Sequence, residues 1–381
     1  MVTVLVCIHE QPSIGGPRKR HTEQPLLFDS FFFRMGHASS TACGAAGDLR
    51  HRYAELASQI RTRGFNEAAI AAAAQSFTGT PPRPRRYSDA PWALPANAVR
   101  VLALPIDDPV LSDAPTRQLA DIALRAAENL SRLLPGGTSV WLPAAGTLHS
   151  TLFHPGVSPA DAKHHAGLES PSVDELHDEL RAARKLAHDV SFANLSFTVD
   201  RLAMTSSGVL LLLLRPTPVG ERTAAAAVPA CIESLRATAA ALFPRAAVKQ
   251  TSGLVHVSLL RIVSLPRTAF GNSSVATAIG DAIERWSRRL QGRRATMRGL
   301  LYVRETQIMT LEGNWYRLPF GNGARRLQQI GWLPRGHGLG RNYRANSMSR
   351  HQHAATLKPL REVLADGGTR PGYDLDREDD G

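Results

Sequence analysis

The sequence contains little of what several protein classes require. Its 381 residues include three cysteines and no Cys-x-x-Cys pair, which excludes a disulfide framework and a zinc or redox motif of that kind. Its longest run of large aliphatic residues, Val209–Leu214, is far shorter than the roughly 20 residues of a membrane-spanning helix. The scarcity of cysteine predicts a reducing, intracellular compartment, and the short apolar runs predict no membrane span.

The net charge of +12 is spread along the chain. The excess of basic over acidic residues is +4 in residues 1–97, +5 in residues 98–323 and +3 in residues 324–381. Such a diffuse excess is compatible with a polyanionic partner but does not require one. Because 43% of the residues are hydrophobic, the chain is too apolar to be wholly disordered.

The first 97 residues are expected to form an irregular extension and not a packed domain. One helix is predicted over Asp48–Phe77. The Pro- and Arg-rich stretch Thr80–Arg86 is typical of an extended linker, with an SH3-type ligand as the alternative. The apolar start, Met1–Ile8, lacks the basic residues that begin a secretory signal. The expected location is therefore cytoplasmic or nuclear, with an organellar transit peptide left open.

Residues 98–320 carry the apolar patterns of a folded domain, in two successive series of strand, helix, strand, helix, strand. The first series has strands at Val99–Ile106, Leu148–Phe153 and Phe197–Met204, and helices that begin at Asp113 and Ser172. The second has strands at Val209–Leu214, Leu254–Val263 and Leu300–Thr310, and apolar helix faces over residues 228–242 and 279–290. The pattern is lost after Gly321, which predicts a disordered tail over residues 321–381.

Similar offsets relate the two series. The matched positions are Val99 and Val209 at 110 residues, His149 and His256 at 107, and Met204–Met309 and Gly208–Gly313 at 105. A period of this length indicates two lobes of one domain. We therefore predict an α+β fold with two duplicated lobes and a central cleft, and two unrelated α+β halves are the alternative.

Two of the 14 histidines share one local pattern: an apolar residue, His, any residue, Ser or Thr, and an apolar residue. They are His149, with Thr151 two positions on, and His256, with Ser258 two positions on. Residues i and i+2 of a strand lie on the same face, so each imidazole is predicted to lie beside its hydroxyl. Equivalent strands of two lobes would bring both pairs to one cleft. Two imidazoles can then transfer protons while two hydroxyls bind a phosphoryl group.

These paired motifs, their spacing and the duplication resemble the two-histidine (2H) phosphoesterase superfamily, which includes 2′-5′ RNA ligase-like cyclic phosphodiesterases. The resemblance covers about residues 98–320. It implies that His149 and His256 are the catalytic acid–base pair, and that Thr151 and Ser258 bind the phosphate. Phe153, which alternation places on the face of His149, is expected to line the floor of the cleft. The adjacent His164 and His165 do not predict a metal site, since neighbouring residues point apart.

The function expected from this pattern is a metal-independent phosphodiesterase that acts on a 2′,3′-cyclic phosphate at a nucleotide or RNA end. No cofactor is expected, and the protein is expected to be a monomer. Two alternatives stay open. One is a non-catalytic module of the same fold that binds a nucleotide or RNA and acts as a scaffold. The other is a 3′ RNA exonuclease.

Overall fold

Two antiparallel β-sheets with helices packed against them make up the structure, a computed structural model. It describes residues 46–89, 92–157, 168–188, 195–217, 232–243, 254–321 and 341–342. The predicted transit segment, His164 and His165 lie outside these residues, as does most of the predicted C-terminal tail. The mixed α/β content agrees with the predicted class.

The helices are α1 (Ala46–Arg63), α2 (Glu67–Ala74), α3 (Ala114–Ser131), α4 (Val173–His188), α5 (Ile232–Leu242) and α6 (Ser273–Leu290). The strands are β1 (Phe77–Thr78), β2 (Arg83–Pro84), β3 (Arg100–Pro105), β4 (Ser139–Trp141), β5 (His149–Phe153), β6 (Leu195–Met204), β7 (Val209–Pro216), β8 (Val255–Ser264), β9 (Arg294–Met297), β10 (Gly299–Glu305), β11 (Gly313–Pro319) and β12 (Arg341–Asn342).

The predicted helix caps are present. The carboxylate of Asp113 accepts a hydrogen bond from the backbone N–H of Thr116 at 2.9 Å, which begins α3. At α4, Ser172 and Glu175 exchange side-chain and backbone hydrogen bonds in a capping box. These local signals fix where the two helices begin.

Ten of the twelve strands given above form two five-stranded sheets, and β1 and β2 pair with each other. The first sheet has the order β12-β11-β10-β3-β5, and the second has the order β4-β8-β7-β6-β9. The last strand of each predicted series pairs with the first strand of the other series, as β6 with β7 and β10 with β3. Each sheet therefore contains strands from both series.

The pairing of the two histidine strands is equivalent in the two sheets. Ala103 of β3 lies opposite Thr151, and Leu211 of β7 lies opposite Ser258. A β-bulge follows each hydroxyl residue, at Leu152 in β5 and at Leu259 in β8. The 107-residue offset of the histidines thus corresponds to equivalent sheet positions.

The offset between Met204 and Met309 does not correspond to equivalent positions. Met204 is the last residue of β6, whereas Met309 lies in the loop after β10 with a φ of 61°. The loop between β10 and β11 is longer than the turn between β6 and β7. A constant offset in sequence therefore pairs residues that do not occupy equivalent positions in the structure.

The N-terminal helix packs on the second sheet, and the predicted boundary at residue 98 is therefore corrected. Tyr53 of α1 is fully buried, and its hydroxyl donates to the carbonyl of Leu214 at 2.7 Å and accepts from the N–H of Val255 at 3.1 Å. The predicted single helix over 48–77 is divided at Gly64, whose φ of +65° ends α1.

The Pro- and Arg-rich stretch forms the hairpin β1–β2 and not an extended linker. The backbone carbonyl of Arg85 accepts from the N–H of Ile308 at 3.1 Å, and the N–H of Tyr87 donates to the carbonyl of Thr306 at 3.0 Å. The hairpin is therefore joined to the loop between β10 and β11. Among the described residues, α1 and this segment therefore belong to the packed unit.

Candidate functional site

Strands β5 and β8 alternate between buried and partly exposed side chains. His149 and Thr151 are partly exposed whereas Ser150 between them is buried, and His256 and Ser258 repeat this arrangement. Each histidine therefore shares a face of its sheet with its hydroxyl residue, because side chains alternate along a strand.

The two histidine strands lie against each other. They belong to different sheets, yet β5 and β8 pack together where the sheets meet. His149 is close enough to His256 that a proton on His149 lowers the pKa of His256. The fold thus brings the two sequence motifs into one region.

The imidazole of His149 is oriented by its own turn. Its Nδ1 lies 2.8 Å from the carbonyl oxygen of Thr147. A carbonyl only accepts hydrogen bonds, so Nδ1 carries the proton and Nε2 has the lone pair in the neutral ring. Burial lowers the pKa of His149, and the Thr147 carbonyl partly opposes this effect.

The environment of His256 strongly disfavours a second proton on its ring. Burial lowers its pKa to about 4, and the charges of Arg236, His149 and Arg261 add to this effect. His256 is therefore a neutral imidazole near pH 7. At the start of a reaction, the imidazole of His256 can therefore accept a proton.

The expectation that Phe153 lines the cleft is corrected by the structure. The bulge at Leu152 interrupts the alternation, so Phe153 turns into the main hydrophobic core. It is only 1% exposed, and its ring centroid lies 5.8 Å from that of Phe243. A ring so enclosed offers no surface to a ligand.

The bulge in β8 brings one residue, Arg261, to the site that strand alternation does not predict. Five positions after each histidine, His154 and Arg261 are partly exposed, because the bulge shifts the alternation by one residue. Arg261 therefore returns to the face of His256 and Ser258.

Arg236 is a second residue that sequence reasoning missed. It lies on α5, is buried, and donates through Nη2 to the carbonyl of Leu254 at 2.9 Å. Its charge lowers the pKa of His256. No local pattern in α5 predicts this placement, which depends on a contact between elements distant in sequence.

Asp107 supports the turn before His149. Its Oδ2 accepts from the backbone N–H groups of Gly146 at 2.7 Å and Leu148 at 3.1 Å. Burial raises its pKa from 3.8 to about 7, although these hydrogen bonds partly lower it. The contribution of Asp107 to stability is therefore greatest below about pH 4 and falls as the pH rises to about 7.

We expect Asp107→Asn to become more favourable, relative to the wild type, as the pH rises from 5 to 8. The neutral amide avoids the cost of a desolvated carboxylate, and the expected change in relative unfolding free energy is on the order of 1 kcal/mol. Chemical denaturation at the two pH values measures it. Asp121→Asn, at an exposed position of α3, is the matched control. A difference that is independent of pH contradicts the expectation.

Within the described residues, no group of three or more His, Cys, Asp or Glu side chains is arranged to hold a metal ion. In the same part of the chain, no helix is long and apolar enough to cross a membrane. The arrangement at β5 and β8 offers proton-transfer groups, hydroxyl donors and nearby cationic side chains. These groups suit an anionic ligand.

Comparisons with known proteins give no family assignment. No protein-family model and no curated protein sequence matches this chain. The structure of Usb1 from Kluyveromyces marxianus has a TM-score of 0.35 and 12% identity, and it covers 59% of this chain and 99% of Usb1. The same protein with uridine monophosphate gives the same TM-score and coverage at 13% identity.

A conserved protein of unknown function from Agrobacterium tumefaciens, ATU0111, also has a TM-score of 0.35. It is 12% identical, and the match covers 58% of this chain and 84% of that protein. At such TM-scores and identities, none of these likenesses transfers a function to this chain.

Proposed function

We propose that this protein is a metal-independent phosphodiesterase that hydrolyses a 2′,3′-cyclic phosphate on a nucleotide or RNA end. The observation that carries the proposal is the pair of His–hydroxyl motifs at equivalent positions of two contacting strands. Two positioned imidazoles can exchange protons with water and with a leaving oxygen while hydroxyl groups bind the phosphoryl oxygens.

The environments of the two rings favour different roles. Burial, with the charges of Arg236 and Arg261 adding to it, keeps His256 neutral, so we assign it as the general base. Burial lowers the pKa of His149 as well, but the hydrogen bond from its Nδ1–H to the Thr147 carbonyl opposes this effect, so we assign His149 as the general acid. A bound phosphate anion favours the protonated form of His149.

In the proposed step, water attacks phosphorus and transfers a proton to His256. The bond between phosphorus and one ribose oxygen breaks, and this oxygen takes the proton from Nε2 of protonated His149. The product is a phosphomonoester with a free neighbouring hydroxyl. Exchange with solvent then returns His256 to its neutral form and His149 to its protonated form.

Thr151 and Ser258 are assigned as hydroxyl donors to the phosphoryl oxygens. We expect Thr151→Ala and Ser258→Ala each to lower kcat by up to about 10²-fold to 10³-fold, since one hydrogen-bond donor to the transition state is removed. The unfolding temperature should change little, because both side chains are partly exposed. Steady-state kinetics and thermal denaturation measure the two effects. Normal kcat in both variants contradicts the assignment.

A substrate panel with the wild-type protein tests the proposed function. We expect turnover of 2′,3′-cyclic mononucleotides and of RNA with a cyclic phosphate end, undiminished by EDTA. Binding without turnover of any cyclic substrate favours a non-catalytic module instead. Progressive shortening of a 5′-labelled oligoribonucleotide with an unmodified 3′ end favours an exonuclease. Activity that requires a divalent cation rejects the mechanism.

A further inference from the structure

Trp141 extends the histidine face of the second sheet. It lies at the end of edge strand β4 and pairs with Arg261 of β8. Residues directly opposite in a ladder share a face, so Trp141 and Arg261 lie on the face of His256 and Ser258. Both Trp141 and Arg261 are partly exposed.

Trp141 is supported by the N-terminal hairpin. Its ring centroid lies 5.7 Å from that of Phe77 in β1, and the ring planes meet at 49°. Phe77 is buried, so one part of the Trp141 ring rests on a fixed surface. A partly exposed indole on a rigid support is suited to stacking against a flat ligand.

The segment that carries Phe77 also carries basic residues. Nε of Arg85 donates to the carbonyls of Gln75 and Phe77, each at 3.1 Å, which holds the guanidinium beside β1. Arg83 and Arg86 of the same segment are exposed. Aromatic rings interleaved with cations are the arrangement by which proteins bind single-stranded nucleic acid.

The spacing separates Trp141 from the reacting phosphate. Arg261 lies three residues beyond Ser258, which is about 7–10 Å along a bulged strand. A hydrogen bond spans about 3 Å, so a phosphate held by Ser258 does not reach Trp141. The next nucleotide of a chain can bridge that distance.

We propose that Trp141 and Arg261 form a subsite for the nucleotide adjacent to the reacting phosphate. Its base stacks on Trp141, and its phosphate lies beside Arg261. The preferred substrate is then the end of an RNA strand of two or more nucleotides, and a cyclic mononucleotide leaves the subsite empty. This inference rests on the proposed function.

The test compares a cyclic mononucleotide with a ribo-tetranucleotide that ends in a 2′,3′-cyclic phosphate. We expect Trp141→Ala to lower kcat/KM about 5-fold to 100-fold more for the tetranucleotide than for the mononucleotide, the range for loss of one stacked base. Trp141→Phe should restore most of the difference, which separates stacking from misfolding. Trp286→Ala is the control, since Trp286 is a partly exposed tryptophan with an arginine, Arg289, over its ring at 5.2 Å, but it lies on α6.

A binding measurement tests the subsite separately from the proposed catalytic function. In the His149→Ala background, fluorescence anisotropy with a labelled tetranucleotide carrying a 3′-phosphate should show Kd raised by Trp141→Ala and not by Trp286→Ala. If the wild type turns over no cyclic substrate, the proposed function fails while this measurement still tests the subsite. Equal losses on both substrates, or an unchanged Kd, overturn the subsite.

Discussion

Alanine at either His149 or His256 is expected to lower kcat by at least about 10²-fold to 10⁴-fold, the usual contribution of one positioned proton-transfer group. The double variant should lose less than the product of the two single losses, because the imidazoles act as a unit. Steady-state and single-turnover kinetics on a 2′,3′-cyclic nucleotide measure these effects. His177→Ala on α4, an exposed histidine, is the matched control and should retain wild-type kcat.

The pH profile should be limited by one histidine on each side. The free protein is active when His256 is neutral and His149 is protonated. We therefore expect kcat/KM to rise as the pH passes about 4, the pKa of His256, and to fall above the lowered pKa of His149. The profile of kcat should lie at higher pH, because the bound phosphate anion raises both pKa values. Full activity of the His256→Ala variant would falsify the acid–base assignment.

Much of the α/β domain could be predicted because its signals are local. The caps at Asp113 and Ser172 and the alternation in β5 and β8 depend on residues within a few positions of each other. The short strands β4 and β9 were not predicted, since three or four residues carry too little pattern. They are stabilised by strands distant in sequence, which local patterns do not record.

Part of the site could also be predicted, because the two His–hydroxyl pairs are local patterns. A His and a hydroxyl two residues apart share a face by alternation alone, so both pairs were found. Alternation fails at a bulge, which is why it places Phe153 in the cleft and does not place Arg261 there. Arg236 reaches the neighbourhood of His256 from α5 through tertiary packing. No spacing within one element could reveal it.

The sequence does not predict that the N-terminal segment packs on the domain, because the apolar face of α1 is short and its partners are far away in sequence. Tyr53 and Leu56 of α1 pack on Leu211 and Leu213 of β7, on the face of the second sheet that carries His256. The segment thus covers the strand next to the histidine strand. Its removal should affect both the stability of the domain and the position of His256.

We expect deletion of residues 1–90 to abolish cooperative folding, because it removes α1, α2 and the β1–β2 hairpin and exposes the buried face of β7. The free energy lost when this face is exposed to water is large compared with a total free energy of unfolding of about 5–15 kcal/mol. Thermal denaturation and near-UV circular dichroism of the truncated protein measure the outcome. A single sharp transition near that of the full chain would restore the boundary at residue 98.

Point variants of Tyr53 test how much the contact between α1 and the second sheet contributes to the free energy of unfolding. Tyr53→Ala should lower the free energy of unfolding by about 3–5 kcal/mol, since it leaves a cavity and removes the hydroxyl that bonds Leu214 and Val255. Tyr53→Phe keeps the ring and should cost about 1–3 kcal/mol, the cost of buried backbone groups without their partner. His51→Ala, at an exposed position of α1, is the control. Because Val255 directly precedes His256, Tyr53→Phe should also lower kcat more than His51→Ala does, which links the N-terminal helix to the site.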